Sequence, residues 1–226
     1  MKRLMPIFIV ILLSGCGILT AYAPNMLSMI VVAVMGVVVL LGIIYGLIPV
    51  LTFTQGLLTG QKSIQRASEA EEKSVWITAL QMDRFFRQKK MDQLFREYRD
   101  KVKQQRQNGQ IVSDLEDILN EDVLALYSWQ GVVAQIPGTL TGLGILGTFI
   151  GLLRGLRNIN FVTVEAALSS VQSILTGIDT AFYTSIAGVI LSILFNISNN
   201  ILRNTMDREM GIFLEVFHRV VLPTTQ

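Results

Sequence analysis

The stretch VQSILTGIDTAFYTSIAGVILSILF, Val171 to Phe195, decides how the whole chain is read. It is long and apolar enough to cross a bilayer, which takes roughly 20 residues as helix. It also carries a carboxylate, Asp179, well inside it. At 1.5 Å rise per residue that acid lies roughly 12 Å along a helix from Val171. A charge at mid-bilayer costs about 2.5–3.5 kcal/mol on insertion scales, so it belongs where it faces a bundle interior or a wet path. Gln172, Thr176, Asp179 and Tyr183 recur at helical spacing and form one polar stripe. Beside it runs a row of small residues: Ser173, Gly177, Thr180 with Ala181, Thr184 with Ser185, then Gly188. Small rows let membrane helices approach closely, and hydroxyls can bond across the contact. Ile178, Phe182, Ile186, Val189 and Ile193 make the far face oily. One side is thus for packing or lipid, the other for ions, protons or a polar partner.

The span before it, GVVAQIPGTLTGLGILGTFIGLLRGL, runs from Gly131 to Leu156. Gly138 and Gly142 form a GxxxG pair, and Gly147, Gly151 and Gly155 continue the ladder, which predicts tight packing on several sides. Thr141 and Thr148 are seven apart and share a face. Each either returns its hydroxyl to a backbone carbonyl or lines a path. Pro137 predicts a kink near the start. Arg154 to Ser170 reads as a short connection. After Phe195 the chain turns polar, and Met210, Phe213, Leu214 and Phe217 predict that the helix persists beyond the membrane.

Upstream, Met26 to Phe53 is a long apolar run without an ionisable side chain, read as an outer, lipid-facing helix. Met1 to Ala23 has a charged start, an apolar core and Leu13-Ser14-Gly15-Cys16. Two readings stay open: a lipoprotein-type signal with Cys16 as the lipidated residue, or an uncleaved first transmembrane helix. Ala23-Pro24-Asn25 is a turn. Residues 54–130 hold twelve basic and twelve acidic side chains. There, Ser74 to Gln107 reads as helix through Trp76, Leu80, Phe85, Phe86, Leu94, Phe95, Tyr98 and Val102. Asn108-Gly109 is a stop signal, and Ser113 with Glu116 resembles a capping box that opens another helix. The solvated hairpin these make packs on itself.

Composition agrees: 51% hydrophobic, 16% charged, mean hydropathy +0.50. This is an all-α membrane protein with four transmembrane helices, or three after a cleaved lipoprotein-type signal. A helical cytoplasmic insert and cytoplasmic helix extensions complete it. Net charge is only +2, and no phosphate-binding glycine loop is present, so neither nucleic acid nor a nucleotide is indicated. One Cys and one His build no zinc site and no disulfide. No nucleophile–base cluster suggests an enzyme, no cofactor is implied, and inverted repeats of the transporter kind are missing. With a cytoplasmic N-terminus, every basic residue except Arg154 and Arg157 falls inside, as the positive-inside rule asks, and both termini are cytoplasmic. His218 reads as a surface residue of the tail.

The layout resembles the MotA/TolQ/ExbB proton-channel family. The motifs that carry the resemblance are GLGILGTFIGLLRGL (Gly142–Leu156) and GIDTAFYTSIAGVILSI (Gly177–Ile193), within roughly Ala134 to Asn200. The wording is most similar to members in the anti-phage Zorya system, which carry a long cytoplasmic tail that these residues do not include. The resemblance implies residues 1–53 as two peripheral helices, 54–130 as insert, 131–202 as two pore-lining helices and 203–226 as a cytoplasmic helix. It implies a homopentamer in the bacterial inner membrane around a dimer of a single-span MotB/TolR/ExbD-like partner with a membrane Asp and a periplasmic domain. Protons or sodium ions would flow and turn the ring. Asp179, Thr148 and Thr184 match the family's ion-path positions. Thr141, Thr176, Ser185 and Tyr183 are read as lining the same path. Gly138, Gly142, Gly147, Gly151, Gly155, Gly177 and Gly188 are read as helix packing.

Overall fold

The computed structural model describes residues 5–69, 84–108, 114–157, 159 and 162–220. Lys2, Arg3, Trp76, Leu80, Gly109 and Ser113 lie outside the described residues. Among those described, all regular structure is helical. In chain order the helices are α1 (Met5–Ala21), α2 (Met26–Gly42), α3 (Ile48–Glu69), α4 (Lys89–Gln107), α5 (Glu121–Tyr127), α6 (Gln130–Val133), α7 (Ile136–Arg157) and α8 (Val164–Val220). Among the described residues, three helical stretches are long and apolar enough to cross a membrane: Met26–Arg66, Gln130–Arg157 and Val164–Arg219. The apolar part of α1, Pro6–Ala21, is shorter.

Several boundaries differ from the sequence reading for identifiable reasons. A π-helical turn, Ile43–Leu47, joins α2 to α3. Pro49 accounts for it: proline has no N–H for the carbonyl four residues back and its ring crowds that oxygen, so the ladder widens ahead of it. Pro137 falls in the first turn of α7, where the missing N–H has no intrahelical partner to lose, so it starts the helix and does not kink it. The α7–α8 connection is shorter than Arg154–Ser170. Thr163 caps α8, its hydroxyl oxygen accepting the Ala166 N–H at 3.1 Å, and Val164 to Ser170 are helical.

Contacts divide the chain into two compact units: Met1–Leu47 with Gly131–Asn200, and Ile48–Gln130 with Ile201–Gln226. In the first, α1, α2, α7 and the first part of α8 pack through Leu12, Val32, Met35, Val39, Leu140, Leu191 and Phe195, all buried. Gly42 admits Ile136 and Phe195; a Cβ there would stand 2.5 Å from each.

The second unit has an aromatic core of Phe85, Phe86, Phe95, Tyr98, Phe213 and Phe217. The predicted helix over 74–107 is interrupted here. Residues 84–88 form a turn, Arg87 takes φ 55°, and the Asp92 carboxylate accepts the Phe86 N–H at 2.7 Å. Phe85 and Phe86 both enter the core from this turn, with their rings edge to face. The helix expected from Ser113 instead begins at α5, capped by Asn120, whose side chain accepts the Val123 N–H. Asp114 caps a short 3₁₀ turn, Leu115–Asp117, and meets His218 Nε2 at 2.7 Å.

That pair has a pH consequence. Burial pushes the Asp114 carboxyl up, but hydrogen bonds from His218 and from the Glu116 and Leu115 N–H groups outweigh it and hold it below its ordinary 3.8. Folding therefore favours the carboxylate. Its contribution is complete above the ordinary value and is lost as pH falls through the folded one. Asp114→Asn is expected to flatten the acid limb, below about pH 4, of melting temperature against pH in detergent, by a small amount because the pair is largely solvated.

Candidate functional site

The glycines of α7 and the small residues of α8 make one seam. Gly144, Gly147, Gly151 and Gly155 are buried on α7. A Cβ at Gly177 would stand 2.6 Å from the Gly151 carbonyl oxygen and 2.7 Å from the Gly155 Cα. At Gly188 it would stand 2.7 Å from the Leu140 carbonyl oxygen. Gly147 makes room for Thr184, whose hydroxyl would lie 2.5 Å from a Cβ there. Backbones this close give the dispersion contact that holds membrane helices together. Gly138 and Gly142, also read as packing glycines, have nothing within 4 Å of an added Cβ. They lie on the open side of α7, out of helical phase with the seam. Gly144, which the sequence reading passed over, takes their place against the backbone of Thr184 and Ser185.

Two of the threonines meet in this seam. Thr184 is fully buried and gives its hydroxyl to the carbonyls of Thr180 (2.9 Å) and Ala181 (3.2 Å). The Thr148 hydroxyl reaches the Gly144 carbonyl at 3.1 Å and, across the seam, the Ala181 carbonyl at 3.2 Å. Both therefore converge on one carbonyl oxygen. Thr141 and Thr176 return their hydroxyls to the carbonyls four residues back, those of Pro137 and Gln172. Within one chain the Thr141, Thr148 and Thr176 hydroxyls are bonded to backbone carbonyls.

Asp179 stands apart from them. It is exposed on the side of α8 away from the seam, and it makes no hydrogen bond or ion pair among the described residues. Around it on that side are Leu175, Phe182 and Ile186, exposed by 60%, 66% and 57%. Tyr183, half-buried, does not serve it: its hydroxyl donates to the Leu19 carbonyl of α1. Among the described residues no group of three His, Cys, Asp or Glu gathers as a metal would need.

The α1–α2 turn packs against α8 beside Asp179. Asn25 caps α2, accepting the Ser28 N–H at 2.9 Å. Its amide donates to the Thr180 hydroxyl at 2.6 Å. Asp179, next to Thr180 in sequence, thus lies level with the α1–α2 turn. The polar contact between Asn25 and Thr180 carries no signature in the sequence pattern, because the partners are 155 residues apart.

These features define a class: an all-helical membrane protein built on a glycine-lined hairpin that displays one carboxylate, with Gln172 and Thr176, on a mostly apolar outer face. Comparison with known proteins narrows the class. The family profile for the anti-phage protein ZorA of the Zorya type I system matches residues 12–205, and the chain belongs to that family. Over 60 residues it is 47% identical to the Zorya protein ZorA of Escherichia coli (strain ATCC 8739). It is 43% identical over 60 residues to the Zorya protein ZorA of Escherichia coli O139:H28 (strain E24377A / ETEC). Each match covers 26% of this chain, and 10% and 8% of those relatives.

Proposed function

We propose that this chain is the ring-forming, ion-conducting subunit of a membrane motor that serves anti-phage defence, related to the MotA/TolQ/ExbB channels. The observation that carries the proposal is the exposed Asp179, without a hydrogen-bond or ion-pair partner among the described residues, beside Leu175, Phe182 and Ile186. A carboxylate set beside Leu175, Phe182 and Ile186 is accounted for by polar protein or water facing it in the working assembly. Further copies of the chain supply the cover, with Asp179 on a shared interior. A second feature supports this. Leu153, Leu156, Val164 and Leu168, on the part of α7–α8 that extends past the α1–α2 turn, are exposed by 55% or more. A cluster of exposed apolar side chains of this kind marks a surface that protein covers.

In this reading five copies surround two helices of a single-span partner with its own membrane Asp and a periplasmic domain. A proton or sodium ion passing down its gradient neutralises a carboxylate, releases its hold on the ring, and the ring steps. Thr148 and Thr184 hold the α7–α8 hairpin rigid behind Asp179 through the Ala181 carbonyl, so the carboxylates sit at fixed spacing. The assembly lies in the inner membrane with both termini cytoplasmic, α1 spanning it as a fourth, peripheral helix. The experiment is a projection of the purified complex along the ring axis. Five copies with density at the centre are expected. Any other number, or an empty centre, overturns the proposal.

A further inference from the structure

The end of the hairpin beside the α1–α2 turn holds a recess of about 490 Å³. Its polar lining includes Asn25, Arg154, Ser169, Gln172, Ser173 and Thr176, and no carboxylate lines it. Met26, 73% exposed, and Leu27 give it an apolar edge on α2. Three of the polar groups are uncommitted. The Arg154 guanidinium, the Gln172 side chain and the Ser173 hydroxyl make no hydrogen bond among the described residues, and Arg154 has no ion pair. Asn25, Thr176 and Ser169 are engaged already, with Thr180, the Gln172 carbonyl and the Ala166 carbonyl.

A guanidinium with a neighbouring amide and hydroxyl, free of any acid, is a donor set for a phosphate group. Its position adds the source. The recess sits at the turn where α2 leaves the apolar layer, which is headgroup level, and its apolar edge leads onto the first residues of a helix that enters the bilayer. A free oxyanion would use the donors alone; a phospholipid uses the donors and the edge together. We propose that this recess binds the phosphate of a bilayer phospholipid, held by Arg154 with Gln172 and Ser173, its acyl chains running along α2 from Met26. The lipid then wedges the peripheral helix pair against the hairpin. The proposal requires only that α2 enters the bilayer, so it stands or falls apart from ion conduction.

The test is native mass spectrometry of the full chain, delipidated in detergent and titrated with phosphatidylglycerol. The wild type is expected to retain lipid, and Arg154→Gln to bind about tenfold more weakly, the scale of a lost charge-assisted phosphate contact. Arg157→Gln, which alters an exposed arginine of the same helix end outside the recess, is expected to bind as wild type. Gln172→Leu is expected to weaken binding in the same direction as Arg154→Gln. Unchanged helicity and melting temperature confirm that each variant is folded. Binding by Arg154→Gln equal to wild type overturns the proposal. Equal losses from Arg154→Gln and Arg157→Gln also overturn it, since they reduce the effect to surface charge. Displacement of the lipid by millimolar inorganic phosphate overturns it in favour of a soluble oxyanion.

Discussion

Asp179→Asn is expected to leave the protein folded and assembled while phage protection falls by on the order of 100-fold, the scale on which a single placed electrostatic group acts. Asparagine keeps the size and hydrogen-bonding capacity of aspartate and loses only its charge and its proton. The substitution therefore separates two roles. A carboxylate bonded permanently to a neighbour would be replaced almost without consequence, because an amide fills the same bond. The obvious neighbour for such a pair was Tyr183, and its hydroxyl is given to the Leu19 carbonyl. With Asp179 exposed and unpaired among the described residues, the contribution expected of it comes from what the assembly brings to it. Plating efficiency of phage on cells carrying the variant reads the activity, and size exclusion of the detergent-solubilised complex reads assembly. Asp179→Glu, which keeps the charge on a longer arm, should retain part of the protection. Protection by Asp179→Asn at the wild-type level, with assembly intact, would remove Asp179 from the mechanism.

Much of this arrangement could be read from residue order, and the misreadings have physical causes. The small row of Gly177, Thr180, Ala181, Thr184 and Gly188 is a local periodicity, and the seam follows it directly. On α7 the reading found the right residue type but followed GxxxG from Gly138 and Gly142. The seam instead follows Gly144, Gly147, Gly151 and Gly155, whose spacing keeps a constant helical phase; Gly142 lies roughly 200° of helix rotation from Gly144. Asp179 was legible as an anomaly, but its place beside the α1–α2 turn was not, because the Asn25–Thr180 bond is a tertiary contact without local trace. In the insert, Phe85 and Phe86 fitted a helical count, but they lie in a turn braced by the Asp92 carboxylate on the Phe86 N–H, a contact the local pattern did not signal. The widened turn before Pro49 was latent in the proline itself, and became visible only once α2 and α3 proved to be one helical path.

The seam makes the other large prediction. Gly177→Ala adds one methyl where backbone, not a flexible side chain, stands 2.6 and 2.7 Å away. Neither the Gly151 carbonyl nor the Gly155 Cα can yield without moving α7. The hairpin must therefore open along its length and lose contact at Gly188, where the Leu140 carbonyl is equally near. Overpacking of a close contact costs about 1–3 kcal/mol, and the backbone location puts this case at the upper end. The Thr148 bond to the Ala181 carbonyl spans the same gap and should be lengthened too. Gly138→Ala is the matched control: the same methyl on α7 meets nothing within 4 Å. Alanine also raises helix propensity, so the single chain should be as stable as wild type or slightly more so. Melting in detergent is expected to separate the two clearly, with Gly177→Ala lowered by several degrees and Gly138→Ala unchanged. Equal melting temperatures would mean that α7 and α8 are not held at the distance described. A Gly138→Ala chain that melts normally but fails to assemble would place the open glycine face of α7 against another helix of the complex.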